Sequence, residues 1–429
     1  LGEHLDPYTD SPAFHPRNKK THGKQGKGHL ISMDPNIGNG HVIVVSNSSA
    51  YKTSGIVIPN LLHYDGPTFV LDPKCDIAGR VKRQRAEMGF RTFVIDENSG
   101  LDPFKLLHDE LKADISLFGT LADAIAPKSS GDVKNRFFDT ACQSLLTGLM
   151  MYFFKIGSKH ILRDAYNMLA MEPAQRAKYV DSILNEPNMD PEIRVLLTRH
   201  LLSKAEVTSE NIIMTVQNSL EFAIYPKLNA YLTSTRDDFD YSVDTIRHTD
   251  FYLNIPSMRL TDNNTVIPRL IITALMQKAQ LTEIPGSPKA RRLYLLDEAR
   301  VLNSMQILET MRDEGRGIGQ HLLLVYQDIG QIKRIWGADA ASTWLSSLEA
   351  VIYGNTKDTR QLEELSRLVG KRTIITSQSS RSASGKNMDV SSGQWSESSS
   401  EQVKEIDLIS PAKLLQMPSH GEIIFTTGN

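Results

Sequence analysis

The sequence predicts an α/β fold in which a mainly parallel sheet is interrupted by an inserted all-α domain. Short apolar runs that end at polar or turn residues occur before residue 109 and again after residue 232, a pattern typical of strands buried on both faces of a parallel sheet. Between those positions the strand-like runs are replaced by long helical segments. At 429 residues, the chain is also long enough for two or more domains.

The first strands are predicted from apolar and β-branched runs at residues 41–45, 68–71 and 92–95. A helical segment over residues 76–88 separates the last two, and this alternation of strand and helix is the pattern of an α/β sheet. After the inserted domain, strands are predicted at residues 251–255, 293–296, 321–326, 350–353, 372–376 and 422–426.

The inserted domain is predicted from helical segments alone. Pro173 and Pro191 lie at first-turn positions, where proline is tolerated because no intrahelical donor is lost. Asp190 precedes Pro191 and is a candidate N-cap residue. The clearest helices are expected at residues 136–154, 173–184, 191–202 and 209–222.

Domain boundaries follow from these elements. We expect an irregular leader over residues 1–39, the first part of the α/β domain over 40–108, the all-α domain over 109–232 and the second part of the α/β domain over 233–429. The serine-rich segment 376–401 is predicted to be a long mobile loop, because it has few apolar residues to bury.

Composition argues against some kinds of protein. The formal net charge of -2 gives no strong field, although a local basic stripe could still contact nucleic acid. Cys75 and Cys142 are far apart, which argues against a disulfide framework or a structural zinc site and favours a reducing compartment. No segment reaches the roughly 20 apolar residues that span a bilayer, so the chain is expected to be soluble.

The residues after the first predicted strand partly match a phosphate-binding loop. Such a loop needs exposed backbone N–H groups, a Lys for the outer phosphates, and a Ser or Thr that holds Mg²⁺ and opens a helix. Lys52 and Thr53 supply the final pair. Ser46 and Tyr51 replace the two glycines of the motif, so this segment by itself is better explained as a polar turn with a chance Lys-Thr pair. The other candidate nucleotide-binding residues are Ser48, Ser49, Ala50, Tyr51 and Ser54.

A second motif is stronger, because an apolar strand over residues 292–296 ends in the adjacent carboxylates of Asp297 and Glu298. In P-loop ATPases the first carboxylate holds Mg²⁺ and the second polarises the attacking water. The carboxyl end of a buried strand is where α/β sheets place their sites. The alternative is an acidic turn that caps the strand, but Lys52 and Thr53 also follow a strand, which favours the functional interpretation.

Three further positions border this motif. Gln327 follows the strand at 321–326 and could sense a γ-phosphate or position water, or could be an ordinary strand-end amide. Arg316 lies among glycines and could reach a neighbouring subunit as an arginine finger, or could belong to a surface turn. Residues 72–74 end the second strand and could border the site or simply form the strand exit.

Taken together, these segments resemble the TraG/TraD-like type IV secretion coupling proteins over most of the chain. The resemblance implies a RecA-like P-loop NTPase domain with an inserted all-α domain, using ATP and Mg²⁺. It implies that Lys52 and Thr53 bind nucleotide and Mg²⁺ and that Asp297 and Glu298 are the Walker B pair. The segments that carry it are residues 40–45, 55–62, 70–74, 295–298, 307–310, 315–316, 324–331 and 408–428.

The resemblance also implies roles and partners beyond the nucleotide. Arg316 would be the finger that acts in trans, and Gln327 the sensor. The expected partners are single-stranded DNA, relaxosome or effector proteins, channel components and further copies of the chain in a ring hexamer. The expected location is the cytoplasmic face of the bacterial inner membrane, with an anchor outside this chain.

Two other functions stay open from the sequence. The missing loop glycines favour a substrate-receptor adaptor that binds nucleotide weakly or not at all. A different RecA-like DNA translocase is the third reading, against which the inserted domain and the closing segment argue. A basic run on the predicted helix after the second strand could contact DNA, although a solvated helix face is the more common role of such a run. Its residues are Arg80, Lys82, Arg83 and Arg85.

Overall fold

The computed structural model describes residues 2–3, 30–31, 40–47, 52–127, 133–202, 206–233, 239–261, 264–384, 394–418 and 421–426. Two compact units are present, Leu1–Tyr353 with Ile423–Asn429, and Gly354–Glu422. The strands are β1 (Gly2–Glu3), β2 (Leu30–Ile31), β3 (Val42–Val45), β4 (Thr68–Leu71), β5 (Arg91–Ile95), β6 (Thr249–Leu253), β7 (Arg292–Asp297), β8 (Gln320–Tyr326), β9 (Ala350–Gly354), β10 (Lys371–Ser384), β11 (Gln394–Asp407) and β12 (Glu422–Thr426).

An eight-stranded sheet has the order β12-β9-β3-β8-β7-β4-β6-β5. The described ladders from β9 to β5 are all parallel. Every residue of β3, β4, β6, β7, β8 and β9 is buried, as expected for a sheet covered on both faces. The prediction of a mainly parallel α/β sheet is therefore confirmed.

Most strand predictions agree with the structure to within one residue at either end, and β4 and β12 agree at both ends. The largest shift in this sheet is in β6, which begins at Thr249 and ends at Leu253 rather than covering residues 251–255. The strand begins with the polar residues Thr249 and Asp250, so an apolar run did not indicate its first two residues. Asp250 is nevertheless fully buried, because it pairs with a cation.

That cation is Arg85, at the end of the helix α2 (Ile77–Glu87). Its guanidinium donates to both carboxylate oxygens of Asp250, at 2.8 and 3.0 Å, and both side chains are inaccessible to solvent. Asp250 also accepts from the backbone N–H of Thr68 at 2.7 Å. The expectation that Arg85 could contact DNA is therefore wrong, because its guanidinium is buried and paired with Asp250. The other three residues of the basic run, Arg80, Lys82 and Arg83, are exposed.

Between β5 and β6, the described residues contain helices and no strand. Pro173 and Pro191 begin their helices as predicted. Asp190 precedes its helix, but its carboxylate makes no cap bond and instead pairs with Lys155 at 2.9 Å. The helices are α3 (Pro103–Leu106), α4 (His108–Ala113), α5 (Leu117–Ile125), α6 (Val133–Lys155), α7 (Ile161–Leu169), α8 (Pro173–Leu184), α9 (Pro191–Leu201), α10 (Glu206–Leu220), α11 (Pro226–Asn229) and α12 (Val243–Arg247).

The first unit contains further helices before β4 and after β6. Helix α1 (Ile58–His63) follows β3, and the long α13 (Val266–Thr282) is buried over most of its length. None of the helices in the described residues is both long and apolar enough to cross a bilayer. The others are α14 (Gln306–Glu314), α15 (Ile329–Trp336) and α16 (Ala338–Ser346).

The predicted mobile loop over residues 376–401 is wrong at 376–384 and 394–401, which belong to strands of the second unit, and residues 385–393 lie outside the described residues. The second unit contains α17 (Thr359–Val369), α18 (Pro411–Leu415) and an antiparallel ribbon in which β10 pairs with β11 from Lys371 opposite Asp407 to Ser384 opposite Gln394. Serine content indicated that the segment has little to bury, but backbone ladder bonds form without a buried face. Of the predicted leader, the structure describes β1 and β2, which pair antiparallel.

Candidate functional site

Strand β3 ends at Val45, and the structure describes the chain as far as Asn47 and again from Lys52. Lys52 is buried, and its ammonium donates to the carbonyl oxygen of Ser46 at 2.7 Å. A π-helical turn, Thr53–Val57, continues into α1 and is anchored by the buried Ile56 and Val57. Ser54 lies in the same turn and is exposed. The candidate residues Ser48, Ser49, Ala50 and Tyr51 lie outside the described residues.

The Thr53 hydroxyl and the Asp297 carboxylate meet at the carboxyl edge of the sheet. Thr53 Oγ1 lies 3.4 Å from Asp297 Oδ2, a loose contact compared with the usual hydroxyl bond of about 2.5–3.0 Å. Asp297 is the last residue of β7 and is buried. Parallel strands bring their carboxyl ends to one edge, which is why residues separated by 244 positions converge.

The turn after β4 adds a second lysine. Lys74 Nζ lies 3.3 Å from Thr53 Oγ1. The buried carboxylate of Asp72 fixes this turn by accepting from the backbone N–H groups of Lys74 at 3.1 Å and Ile77 at 2.8 Å. Burial raises the pKa of Asp72, and these two donors oppose the shift. Residues 72–74 therefore border the site.

The charges around Asp297 compensate one another incompletely. Burial raises the pKa of Asp297, and the ammonium groups of Lys74 and Lys52 oppose this rise, Lys74 more strongly. Burial also lowers the pKa of Lys52, against the attraction of Asp297 and Glu298. Desolvation thus disfavours both charged forms, so a bound cation would offset part of the cost at Asp297.

Glu298 follows Asp297 in a left-handed conformation, with φ 80° and ψ 49°. The Gln327 amide donates to both carboxylate oxygens of Glu298, at 2.8 and 2.9 Å. Arg300 Nε donates to the same carboxylate at 2.6 Å. The sequence predictions missed Arg300, since its contact depends on the sharp turn at Glu298.

Arg316 lies away from these groups. It belongs to the turn Gly315–Ile318 that precedes β8, whereas Gln327 follows the last residue of that strand. The strand rises about 3.3 Å per residue, so the two side chains start from opposite edges of the sheet. Arg316 is exposed. Lys52, Thr53, Asp297, Glu298 and Gln327 come together, and Arg316 does not join them within one chain.

Residues 9–429 match the family described as type IV secretory system conjugative DNA transfer. The chain belongs to this family. It is 31% identical to the type IV secretion system-coupling protein VirD4 of Bartonella henselae over 384 residues, which cover 86% of this chain and 59% of that relative. It is 27% identical to the conjugal transfer protein TraG of Agrobacterium fabrum, over 100% of this chain and 65% of the relative.

The present chain thus spans less than two thirds of the length of each of those two relatives. Among solved structures it is similar to the bacterial conjugative coupling protein TrwBdeltaN70 in complex with sulphate, with a TM-score of 0.67 and 14% identity over 91% of this chain and 83% of the other. This likeness confirms the RecA-like α/β fold that the resemblance to coupling proteins implied.

Proposed function

We propose that this chain is the nucleotide-driven motor region of a type IV secretion coupling protein, and that it hydrolyses ATP to drive or license substrate transfer. The observation that carries the proposal is the 3.4 Å approach of the Thr53 hydroxyl to the Asp297 carboxylate, beside the buried Lys52. Hydroxyl and carboxylate oxygens are ligands that Mg²⁺ prefers, and an adjacent ammonium suits phosphate.

ATP and Mg²⁺ are the proposed cofactors. The donor set at the carboxyl edge of the sheet supports them, as do the solved structures of TrwB in complex with the ATP analogue ADPNP and with ADP and Mg²⁺. When bound, the metal would neutralise charge that develops on the phosphates during transfer. Thr53 and Asp297 would hold it, and Lys52 would contact the outer phosphates.

The carboxylate of Glu298 would accept a proton from the attacking water, which makes it the proposed general base. Gln327 would hold this carboxylate in place through the two hydrogen bonds that its side-chain amide donates, and it would sense the γ-phosphate. Arg316 would complete the site of a neighbouring subunit, a role that requires an oligomer and supports a ring hexamer. Ser48, Ser49, Ala50, Tyr51 and Ser54 stay proposed nucleotide-binding residues.

Membership of the conjugative DNA transfer family supports single-stranded DNA and relaxosome or effector proteins as cargo. Channel components and an anchor in the inner membrane belong to the same proposal, as do the domain boundaries at residues 40–108, 109–232 and 233–429.

A substrate-receptor adaptor is the second candidate function. It is favoured by Ser46 and Tyr51 in place of the loop glycines, and by the 2.6 Å bond from Arg300 Nε, which occupies the Glu298 carboxylate. An adaptor would bind nucleotide weakly or not at all and would not turn it over, so binding and turnover must be measured separately.

ATP turnover with and without single-stranded DNA tests the two candidates, for the unaltered chain, Lys52→Ala and Glu298→Gln. For a motor, we expect Glu298→Gln to keep nucleotide affinity and to lose turnover by about 10²- to 10⁴-fold, the range typical of a general base. Lys52→Ala should lose affinity as well. Weak or absent nucleotide binding together with no turnover, at protein concentrations that favour a ring, would support the adaptor. Stimulation of turnover by DNA would support DNA transport.

A further inference from the structure

We propose that Lys74 competes with the divalent cation for the hydroxyl oxygen of Thr53, and so sets the Mg²⁺ concentration at which the site loads. The proposal rests on the function proposed above. In this structure the Lys74 ammonium lies 3.3 Å from Thr53 Oγ1, the hydroxyl that also contacts Asp297. A metal held by Thr53 and Asp297 would need the same hydroxyl oxygen.

The turn that carries Lys74 is held in a defined conformation by specific interactions. Asp72 is fully buried, yet it uses both carboxylate oxygens on backbone N–H groups of the turn instead of on a cation. The next residue, Cys75, has a left-handed backbone with φ 57°, a strained choice for a side chain other than glycine. A simple strand exit needs neither feature, and together they fix the Cα of Lys74 beside the site.

The two lysines of the site differ in freedom. Lys52 is buried and bonded to the carbonyl of Ser46, so its ammonium is held in place. Lys74 is exposed and reaches Thr53 along a flexible four-carbon stem. Lys74 can therefore withdraw from Thr53 when a metal arrives, whereas Lys52 cannot move without losing its bond.

Charge supports the same conclusion. The Lys74 ammonium would lie next to a metal held by Thr53, because its Nζ is 3.3 Å from Thr53 Oγ1. An ammonium and a divalent cation repel each other at such short range. Removal of the Lys74 charge should therefore make the metal bind more readily, while loss of an ordinary phosphate ligand would leave the metal requirement unchanged.

The test measures the affinity of a fluorescent ADP analogue over a series of Mg²⁺ concentrations that starts in EDTA. Lys74→Met removes the charge and keeps the length, Lys74→Arg keeps a charge, and Lys82→Met is the matched control because Lys82 is exposed on α2. We expect Lys74→Met to lower the half-saturating Mg²⁺ concentration by about tenfold, as loss of one neighbouring charge would. Lys74→Arg and Lys82→Met should resemble the unaltered chain.

The outcomes separate the two proposals. If the unaltered chain binds ADP with a clear Mg²⁺ dependence and Lys74→Met leaves the half-saturating concentration unchanged or raises it, the competition is refuted and the proposed function stands. If the unaltered chain shows no Mg²⁺-dependent binding, the proposed nucleotide site fails and the competition fails with it. Thermal melting of each variant checks that the exposed substitutions leave the fold intact.

Discussion

Glu298 is held by two neighbours of unequal strength. Gln327 makes two bonds to its carboxylate from a partly buried position, and bonds to a charged group contribute about 1.5–3 kcal/mol each. The Arg300 side chain is 53% exposed, and exposed ion pairs contribute about 0.2–1 kcal/mol. The amide therefore determines where the carboxylate lies, and the guanidinium adds a weak restraint.

This difference predicts unequal effects on ATP turnover at saturating Mg²⁺ and nucleotide. Gln327→Ala should lower turnover by about tenfold or more, the factor that corresponds to about 1.4 kcal/mol. Arg300→Gln should change it by less than about fivefold. Arg83→Gln, on the exposed face of α2, is the control. A larger loss from Arg300→Gln than from Gln327→Ala would contradict this assignment.

The environment of His41, just before β3, allows a prediction of how the free energy of unfolding depends on pH. Its Nδ1 accepts from the backbone N–H of Leu322 at 3.0 Å, so protonation must break this bond. Burial, and then the nearby His321 and Arg312, lower the pKa of His41 to about 3. Its ordinary value is about 6.5, so between pH 6.5 and 3 the unfolded chain binds a proton that the folded chain does not.

The contribution of His41 to stability is therefore complete above pH 6.5 and is lost as pH falls toward 3. Its share of the slope of the unfolding free energy is at most about 1.4 kcal/mol per pH unit. We expect His41→Phe to flatten the curve between pH 6.5 and 5, measured by chemical denaturation. His63→Phe is the control, because His63 is exposed on α1. Parallel curves for the His41 variant and the unaltered chain would exclude this role.

Among the elements, α2 packs on the sheet through Ile77, Ala78 and Val81, and a fully buried ion pair also joins it to the sheet. Arg85 donates to Asp250 on β6 and also to the backbone carbonyl of Leu61 at 3.2 Å, while Asp250 accepts from Thr68 on β4. The pair thus joins α1, α2, β4 and β6. Because both charges are fully buried, removing one partner leaves the other unpaired, which costs about 3–5 kcal/mol.

We expect Asp250→Asn and Arg85→Met each to lower the unfolding free energy by about 3–5 kcal/mol in urea denaturation. Arg85→Met combined with Asp250→Leu should recover part of the loss, since it leaves no buried charge behind. Arg80→Met on the exposed face of α2 should change stability by less than about 0.5 kcal/mol. Single variants as stable as this control would show that the pair does not hold α2 to the sheet.

The same elements show what could be predicted from sequence. Apolar runs located β4 to the residue, because a strand buried on both faces leaves a continuous signal. The polar beginning of β6 was missed, since its burial depends on Arg85, which is distant in sequence. Thr53 and Asp297 were predicted to meet because both follow strands. The contact of Lys74 joins it to Thr53, 21 residues earlier, and the contact of Arg300 follows left-handed backbone at Glu298, so no local pattern predicts either.

For the whole molecule, the position of Arg316 is the feature that distinguishes a function carried out by one chain from a function that needs several copies. In one chain Arg316 precedes β8 at the edge opposite to Glu298 and Gln327, so the proposed nucleotide site that it could complete would belong to another copy. An adaptor that acts as a monomer would have no use for it. An arginine that acts in trans typically contributes about 10³- to 10⁵-fold to turnover.

Two inactive variants should therefore restore each other's activity when mixed. Arg316→Ala keeps an intact Lys52 and Glu298 but lacks the finger, whereas Lys52→Ala keeps the finger beside a defective site. Wherever an Arg316→Ala subunit receives the finger of a Lys52→Ala neighbour, one complete site forms, so a mixture should turn over ATP well above the sum of the separate variants. Mixing Lys52→Ala with Glu298→Gln is the control, because both defects lie at the same edge and no complete site can form. Equal activity in the two mixtures would show that Arg316 does not act across subunits.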